Sequence, residues 1–420
     1  MNLVLKLYSF LTCILGLIIL PFIFLLRLIQ KKDVTSWKIK TGNFNLPENY
    51  DKTKKTIMIH GVSVGEVVSL EKLIRKVKEE FPNHNLVLTT GTKTGQETAI
   101  KKMGDVADFI TYFPLDIKFF VEKFLDKINP DVILIAETEI WPIFIYTAKK
   151  RNIKTYIING RMSDESFKMY KILKPFFKNV LPMYSGIFVQ SEIDKARLNE
   201  AGANINQLDV MKNLKFDVNK FDVDINLNTN NSKVLIAGST HKGEDEIVLR
   251  VYKKLKELIP NLKLLLAPRH ITRTPDVQNL IKTFNFSYNL YSKNKQFSDN
   301  SDILLLDVMG ELAKLYAKID VAFIGGSFNN TGGHNPLEAI IFDKPTISGP
   351  SIKNFRDIYA ILKMNNAAFV VNNEEEFFEI AKKLLLDESY YQEIKNNANK
   401  AFKNQQGALN FVIDKLKKVI

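Results

Sequence analysis

Short apolar, β-branched runs alternate along this chain with longer segments of helical periodicity. Thr56–Ile59, Leu86–Leu88, Val132–Ile135 and Tyr156–Ile158 each end in a polar or glycine-bearing turn and lead into a helix-like stretch. That order predicts a parallel sheet wound with helices. The apolar pattern lapses across 221–232, read as a linker, and a second series follows: Val234–Ala237, Leu262–Ala267, Ile303–Leu306, Val321–Ile324 and Pro345–Ile347. The expected fold is α/β, with two Rossmann-like, doubly wound domains, 33–220 and 233–405, facing a cleft at the carboxyl ends of their strands. Phe402–Ile420 has helical spacing, and residues 406–420 are expected as a C-terminal helix that packs back across the join.

One segment departs from the alternation. Leu11–Leu26 carries no charge, and the apolar stretch Leu3–Ile29 is interrupted only by Lys6, Arg27 and a few small polar residues. Its length suits one bilayer span of about 20 residues, so residues 1–32 are read as a membrane anchor. A cleaved signal peptide is the rival reading, but Arg27, Gln30, Lys31 and Lys32 follow where small residues would mark a cleavage site. Lysines 31, 32, 38 and 40 with Arg27 outweigh Lys6 before the span, and this bias places the body on the cytoplasmic face.

With 420 residues, 45% of them hydrophobic, the chain has ample apolar material for more than one core. Cys13 is the single cysteine, so no intrachain disulfide can form. The five histidines are scattered, and no metal is expected. A net charge of +13 favours acidic partners such as anionic headgroups. The lysines are spread out, without interleaved aromatics or a nucleic-acid module, which argues against nucleic acid.

Candidate chemistry gathers at the strand ends. Gly325-Gly326-Ser327 and Gly332-Gly333-His334-Asn335-Pro336-Leu337-Glu338 read as a strand emptying through glycines onto a helix start, a seat for phosphate, with Asn335 as cap and Pro336 at the first helical position. Glu338 either bonds back to that cap or accepts ribose hydroxyls. Glu66, in His60-Gly61-Val62-Ser63-Val64-Gly65-Glu66, is either a capping carboxylate paired with Ser63 or a general base kept ionised by the helix N-terminus. Thr89–Gly95 lacks the spacing of a nucleoside-triphosphate loop. Glu137 and Glu139 beside Trp141 suit sugar hydroxyls, Arg161 after Asn159-Gly160 suits an acceptor's anionic group, and for each an internal ion pair is the rival reading. Arg269 after Pro268 is the cation best placed for a donor phosphate, because its planar fork matches phosphate geometry. Met309-Gly310-Glu311-Leu312 begins a helix after Asp307.

Together, His60–Glu66, Glu137–Pro142, Asn213–Asp217, Ala237–His241, Pro268–His270, Met309–Leu312 and Gly325–Glu338 resemble the Kdo (3-deoxy-D-manno-octulosonic acid) transferases of lipopolysaccharide synthesis, in the family's order from the anchor to the C-terminus. The resemblance implies a GT-B glycosyltransferase of the inner membrane that moves Kdo from its CMP ester to a lipid A precursor with inversion, without cofactor or metal. It puts the proton acceptor on Glu66. It puts CMP contacts on Pro268, Arg269, Met309, Gly310, Glu311, Asn335, Pro336, Leu337 and Glu338. The chain departs from the family at Gly61 and Gly160 (usually alanine), Lys212 (usually glycine), Glu165 (usually arginine) and Ser351 (usually histidine). None of these is a carried-over catalytic or CMP-binding position. The competing readings are a GT-B enzyme using a UDP-sugar and a non-enzymatic protein that binds anionic lipid.

Overall fold

The computed structural model describes residues 3–29, 35–48 and 50–420. The chain divides into two compact units, Met1–Asp217 with Gln406–Ile420, and Val218–Gln405. In the first, seven strands are β1 (Thr56–Gly61), β2 (Asn85–Thr90), β3 (Phe109–Tyr112), β4 (Val132–Ala136), β5 (Lys154–Gly160), β6 (Gly186–Val189) and β7 (Leu208–Val210). They form one sheet in the order β3-β2-β1-β4-β5-β6-β7, and every pairing is parallel. Every residue of β1, β2 and β4 is buried. Helices cover both faces of these strands, which therefore carry continuous apolar runs instead of alternating ones.

The second unit repeats the plan with β8 (Val234–Thr240), β9 (Lys263–Pro268), β10 (Tyr288–Leu290), β11 (Ile303–Leu305), β12 (Val321–Ile324), β13 (Thr346–Ser348) and β14 (Ala368–Val370). The order is β10-β11-β9-β8-β12-β13-β14, again parallel throughout. Strand order reverses between β1 and β4 in one sheet and between β8 and β12 in the other. A crevice opens at such a reversal, outside the carboxyl ends of the strands, and ligands of doubly wound sheets bind there.

The structure departs from the periodicity reading in two places. β3, β6, β7, β10 and β14 are additional strands of three or four residues. Four of them lie at sheet edges, where short strands limit edge-to-edge pairing. Phe402–Ile420 is not one helix: Glu388–Gln405 ends, Gly407 turns the chain at φ 107°, and Ala408–Lys417 begins. Asp217 accepts hydrogen bonds from the Gly407 and Leu409 amides, and Ala408, Val412, Ile413 and Leu416 enter the core beside Leu70, Leu73 and Val77.

The N-terminal helix runs Leu3–Ile29, and its Leu3–Ile23 stretch has a mean hydropathy of 2.4 with almost none of it buried. Tyr8 donates to Asp116 at 3.1 Å, tying the helix to the first unit. Lys31 and Lys32, expected to flank the span, lie outside the described residues.

Candidate functional site

In the second unit, strand ends on both sides of the β8/β12 reversal surround a cavity of about 380 Å³. Ser239 near the end of β8, Arg269 after β9, Met309 and Gly310 after β11, and His334, Asn335 and Glu338 after β12 line it, with Tyr316 in the wall. Tyr316 approaches so closely that a Cβ on Gly238 would lie 2.0 Å from its hydroxyl oxygen, so a larger residue at this strand position would have to displace the Tyr316 ring. Of the nine residues expected to contact nucleotide, Arg269, Met309, Gly310, Asn335 and Glu338 line the cavity. Pro268, Pro336 and Leu337 are buried in its frame, and the Glu311 carboxylate pairs with Lys314 at 3.2 Å.

Two arginines near the cavity differ in what they hold. Arg273 donates to Asp245, which is 1% exposed, and to the Thr240 carbonyl at 3.2 Å. The exposed guanidinium of Arg269 has no protein partner among the described residues, although its backbone amide donates to Thr240. Glu338 is also without a hydrogen-bond partner among them. Burial raises its carboxyl above the ordinary range, and Arg269 pulls it back down. His334 and His241 meet at 2.9 Å through their Nε2 atoms, so only one of the two nitrogens can carry a proton. Burial, with Arg269 next, lowers His334 to about 4.

The glycine-rich turn after β12 is not an open phosphate seat. Its Gly326, Ser327 and Phe328 amides donate to the Glu244 carboxylate at 2.7, 2.8 and 2.8 Å. The helix that follows is only Leu337–Ile340, Pro336 stands at its cap, and Asn335 accepts from Leu337 N in a local turn. Met309–Leu312 likewise opens only a four-residue helix, Leu312–Leu315.

In the first unit, Glu66 follows β1 at the β1/β4 reversal, in the first turn of the helix Val64–Glu80. The carboxylate is buried and accepts from Val62 N and Ser63 Oγ, both at 2.8 Å. Glu66 thus bonds back to the residues before its helix, while the Ser63 hydroxyl donates to it instead of capping a helix amide. Burial raises the Glu66 pKa most, its hydrogen bonds with Val62 and Ser63 lower it, and Glu137 raises it. Glu137 stands after β4 with φ 58° and pairs with Arg161 at 3.2 Å, the internal ion pair foreseen for that arginine. Burial, Glu66 and Glu137 together raise Glu139, whose carboxylate has no partner among the described residues. Asn213 is structural, bonded to Gln190 and to Lys215 N. Thr92 caps the helix Lys93–Met103 through Gly95 N.

Ser239, Tyr316, the His241–His334 pair and Glu244 join the expected nucleotide contacts at the site. The Ala237–His241 and Gly-Gly-His-Asn motifs carried the signal for Ser239 and the histidines; Glu244 opens the helix directly after the first of them, and Tyr316 begins the 3₁₀ turn after Leu312–Leu315.

A family model described as 3-Deoxy-D-manno-octulosonic-acid transferase (kdotransferase) matches residues 35–218, and one for glycosyl transferases group 1 matches residues 217–401. A 3-deoxy-D-manno-octulosonic acid transferase from Haemophilus influenzae is 35% identical over 369 residues, which cover 86% of each chain. The chain belongs to the Kdo transferase family. It is thus a glycosyltransferase of GT-B type. Another Kdo transferase, from Rickettsia bellii, is 30% identical over 95% of this chain and 94% of its own. A bifunctional glycosyltransferase/methyltransferase from Fusobacterium nucleatum is 38% identical over 81% of this chain, which spans only 54% of that longer protein. Among solved structures, a UDP-GlcNAc 2-epimerase from Neisseria meningitidis bound to UDP-GlcNAc has a TM-score of 0.57 at 14% identity, over 87% of this chain and 100% of that one. That likeness is one of fold alone.

Proposed function

We propose that this Kdo transferase moves Kdo from CMP-Kdo to a lipid A precursor, lipid IVA, anchored in the inner membrane by Leu3–Ile29 with its body in the cytoplasm. One observation carries the donor assignment: the exposed guanidinium of Arg269, without a hydrogen bond or ion pair among the described residues, lines a cavity framed by strand ends at the sheet reversal. In this reading Arg269 takes the CMP phosphate as a planar fork, and Met309, Gly310 and Asn335 bound the nucleotide. Glu338, unpartnered beside them, accepts the ribose hydroxyls. Pro268, Pro336 and Leu337 hold the frame, and Glu311 stands at its margin.

Glu66 is the base. The acceptor hydroxyl gives its proton to the Glu66 carboxylate, its oxygen bonds to the anomeric carbon of Kdo, and the electron pair of the breaking C–O bond leaves with the CMP phosphate. Attack opposite the leaving group inverts the anomeric centre. A carboxylate whose pKa is raised by burial is a stronger base than an exposed one, and so is better matched to this proton transfer near neutral pH.

A donor comparison tests the reading. With a tetra-acylated lipid A precursor as acceptor, mass spectrometry should find products heavier by whole Kdo units with CMP-Kdo and none with UDP-N-acetylglucosamine. A hexosamine increment from the UDP-sugar would replace this reading with the UDP-sugar alternative.

A further inference from the structure

The geometry points to Glu244 as a specificity-determining residue, a built-in anion that occupies the amide nest of the donor unit and so restricts the donor to a nucleoside monophosphate. This inference rests on the CMP-linked donor proposed above and explains how the same site would refuse a diphosphate.

Glu244 opens the helix Glu244–Leu258 and is 1% exposed. Its Oε1 accepts from Ser327 N and Phe328 N at 2.8 Å each, and its Oε2 accepts from Gly326 N at 2.7 Å and His241 N at 2.9 Å. Successive amides converging on one point form the concavity in which proteins bind phosphate. This one lies at the β8/β12 reversal, where doubly wound sheets receive nucleotide phosphates. Here the chain supplies the anion itself. No lysine or arginine pairs with Glu244 among the described residues, so the four N–H groups are its whole compensation. A ligand phosphate could enter the nest only by leaving that carboxylate buried and unpaired.

The nest adjoins the donor cavity. A Cβ on Gly326 would lie 2.8 Å from His334 Cδ2, and His334 lines the cavity. Arg269 is the only lysine or arginine among the cavity's lining residues, and Arg273 is committed to Asp245. One phosphate therefore has a cationic partner. A second, extending toward the nest, meets the Glu244 carboxylate in place of amide donors.

Calorimetry on the full-length, detergent-solubilised protein, titrated with CMP and with CDP, tests this. The wild type should bind CMP at least about tenfold tighter than CDP, a difference of roughly 1.4 kcal/mol. In Glu244→Ala the nest is vacated, and the CDP-to-CMP ratio of dissociation constants should fall at least about tenfold. Added formate, replacing the lost carboxylate, should restore it. Glu244→Gln keeps the volume but offers only one acceptor oxygen, and serves if the alanine variant does not fold; its ratio should shift in the same direction. A merely structural glutamate would weaken both nucleotides together. An unchanged ratio in a folded variant, or a wild type that binds CDP as tightly as CMP, overturns the role of Glu244. A wild type that binds neither nucleotide overturns the donor assignment itself, and this inference with it.

Discussion

Replacing Arg269 by alanine should cost the protein its nucleotide and almost none of its stability. The exposed guanidinium makes no hydrogen bond or ion pair among the described residues, its influence on Glu338 and His334 is electrostatic, and the backbone bond to Thr240 survives the substitution. The expected change in folding stability is therefore within about 0.5 kcal/mol. What should disappear is the charge-assisted contact proposed for the donor phosphate, worth about 1.5–3 kcal/mol, or roughly a 10- to 150-fold loss in CMP affinity. Arg273 makes the opposite case on the same edge of the sheet. Its removal strips the partner from Asp245, which is 1% exposed, and leaves that carboxylate with Thr240 Oγ1 at 2.5 Å. Breaking a buried pair in this way costs about 3–5 kcal/mol. Isothermal calorimetry with CMP, alongside thermal unfolding of each variant, separates the two arginines. An Arg269→Ala protein that binds CMP like wild type, or that melts as early as Arg273→Ala, would refute the division of labour drawn from their partners.

Gly238→Ala places a methyl group 2.0 Å from the Tyr316 hydroxyl oxygen, so it should destabilise the donor unit by about 1–3 kcal/mol and displace the cavity wall, read as a lower melting temperature together with weaker CMP binding. Burial holds His60 to about 3 and His334 to about 4, below the ordinary histidine value, so both are neutral when folded. Their stabilising effect is complete above about pH 6.5. It is lost as pH falls toward 3, because the unfolded chain takes up protons that the folded one refuses. His60→Phe, against Phe113 at 4.0 Å, should flatten that slope in pH-resolved urea titrations. Asp217→Ala removes the acceptor of the Gly407 and Leu409 amides and should loosen Ala408–Lys417 at a cost of about 1.5–3 kcal/mol, seen as earlier hydrogen exchange in that helix.

The central strands were legible because burial on both faces writes them as uninterrupted apolar runs: Thr56–Ile59 and Val132–Ile135 cannot be amphipathic helices at that length and composition. Edge strands such as β3 and β14 were not, since three or four residues leave no period to read. At the site, local spacing showed which amides and carboxylates stand at strand ends, but not which of them are already paired. The turn after β12 reads as an open anion seat until Glu244, 82 residues earlier, fills it. The pairing of Glu66 with Ser63 lay within reach of four residues, whereas the burial that raises its pKa comes from the folded unit around it. Tyr316 reaches the cavity from a 3₁₀ turn that carries no chemical motif of its own.

In the proposed reaction everything depends on Glu66 as the group that takes the acceptor's proton. The direct measurement is single-turnover transfer from CMP-Kdo to the lipid A precursor by Glu66→Gln, followed by mass spectrometry, with CMP binding measured on the same preparation. The account predicts no transferred Kdo and CMP affinity within about twofold of wild type, since Glu66 is not among the residues lining the donor cavity. Transfer at the wild-type rate would contradict it.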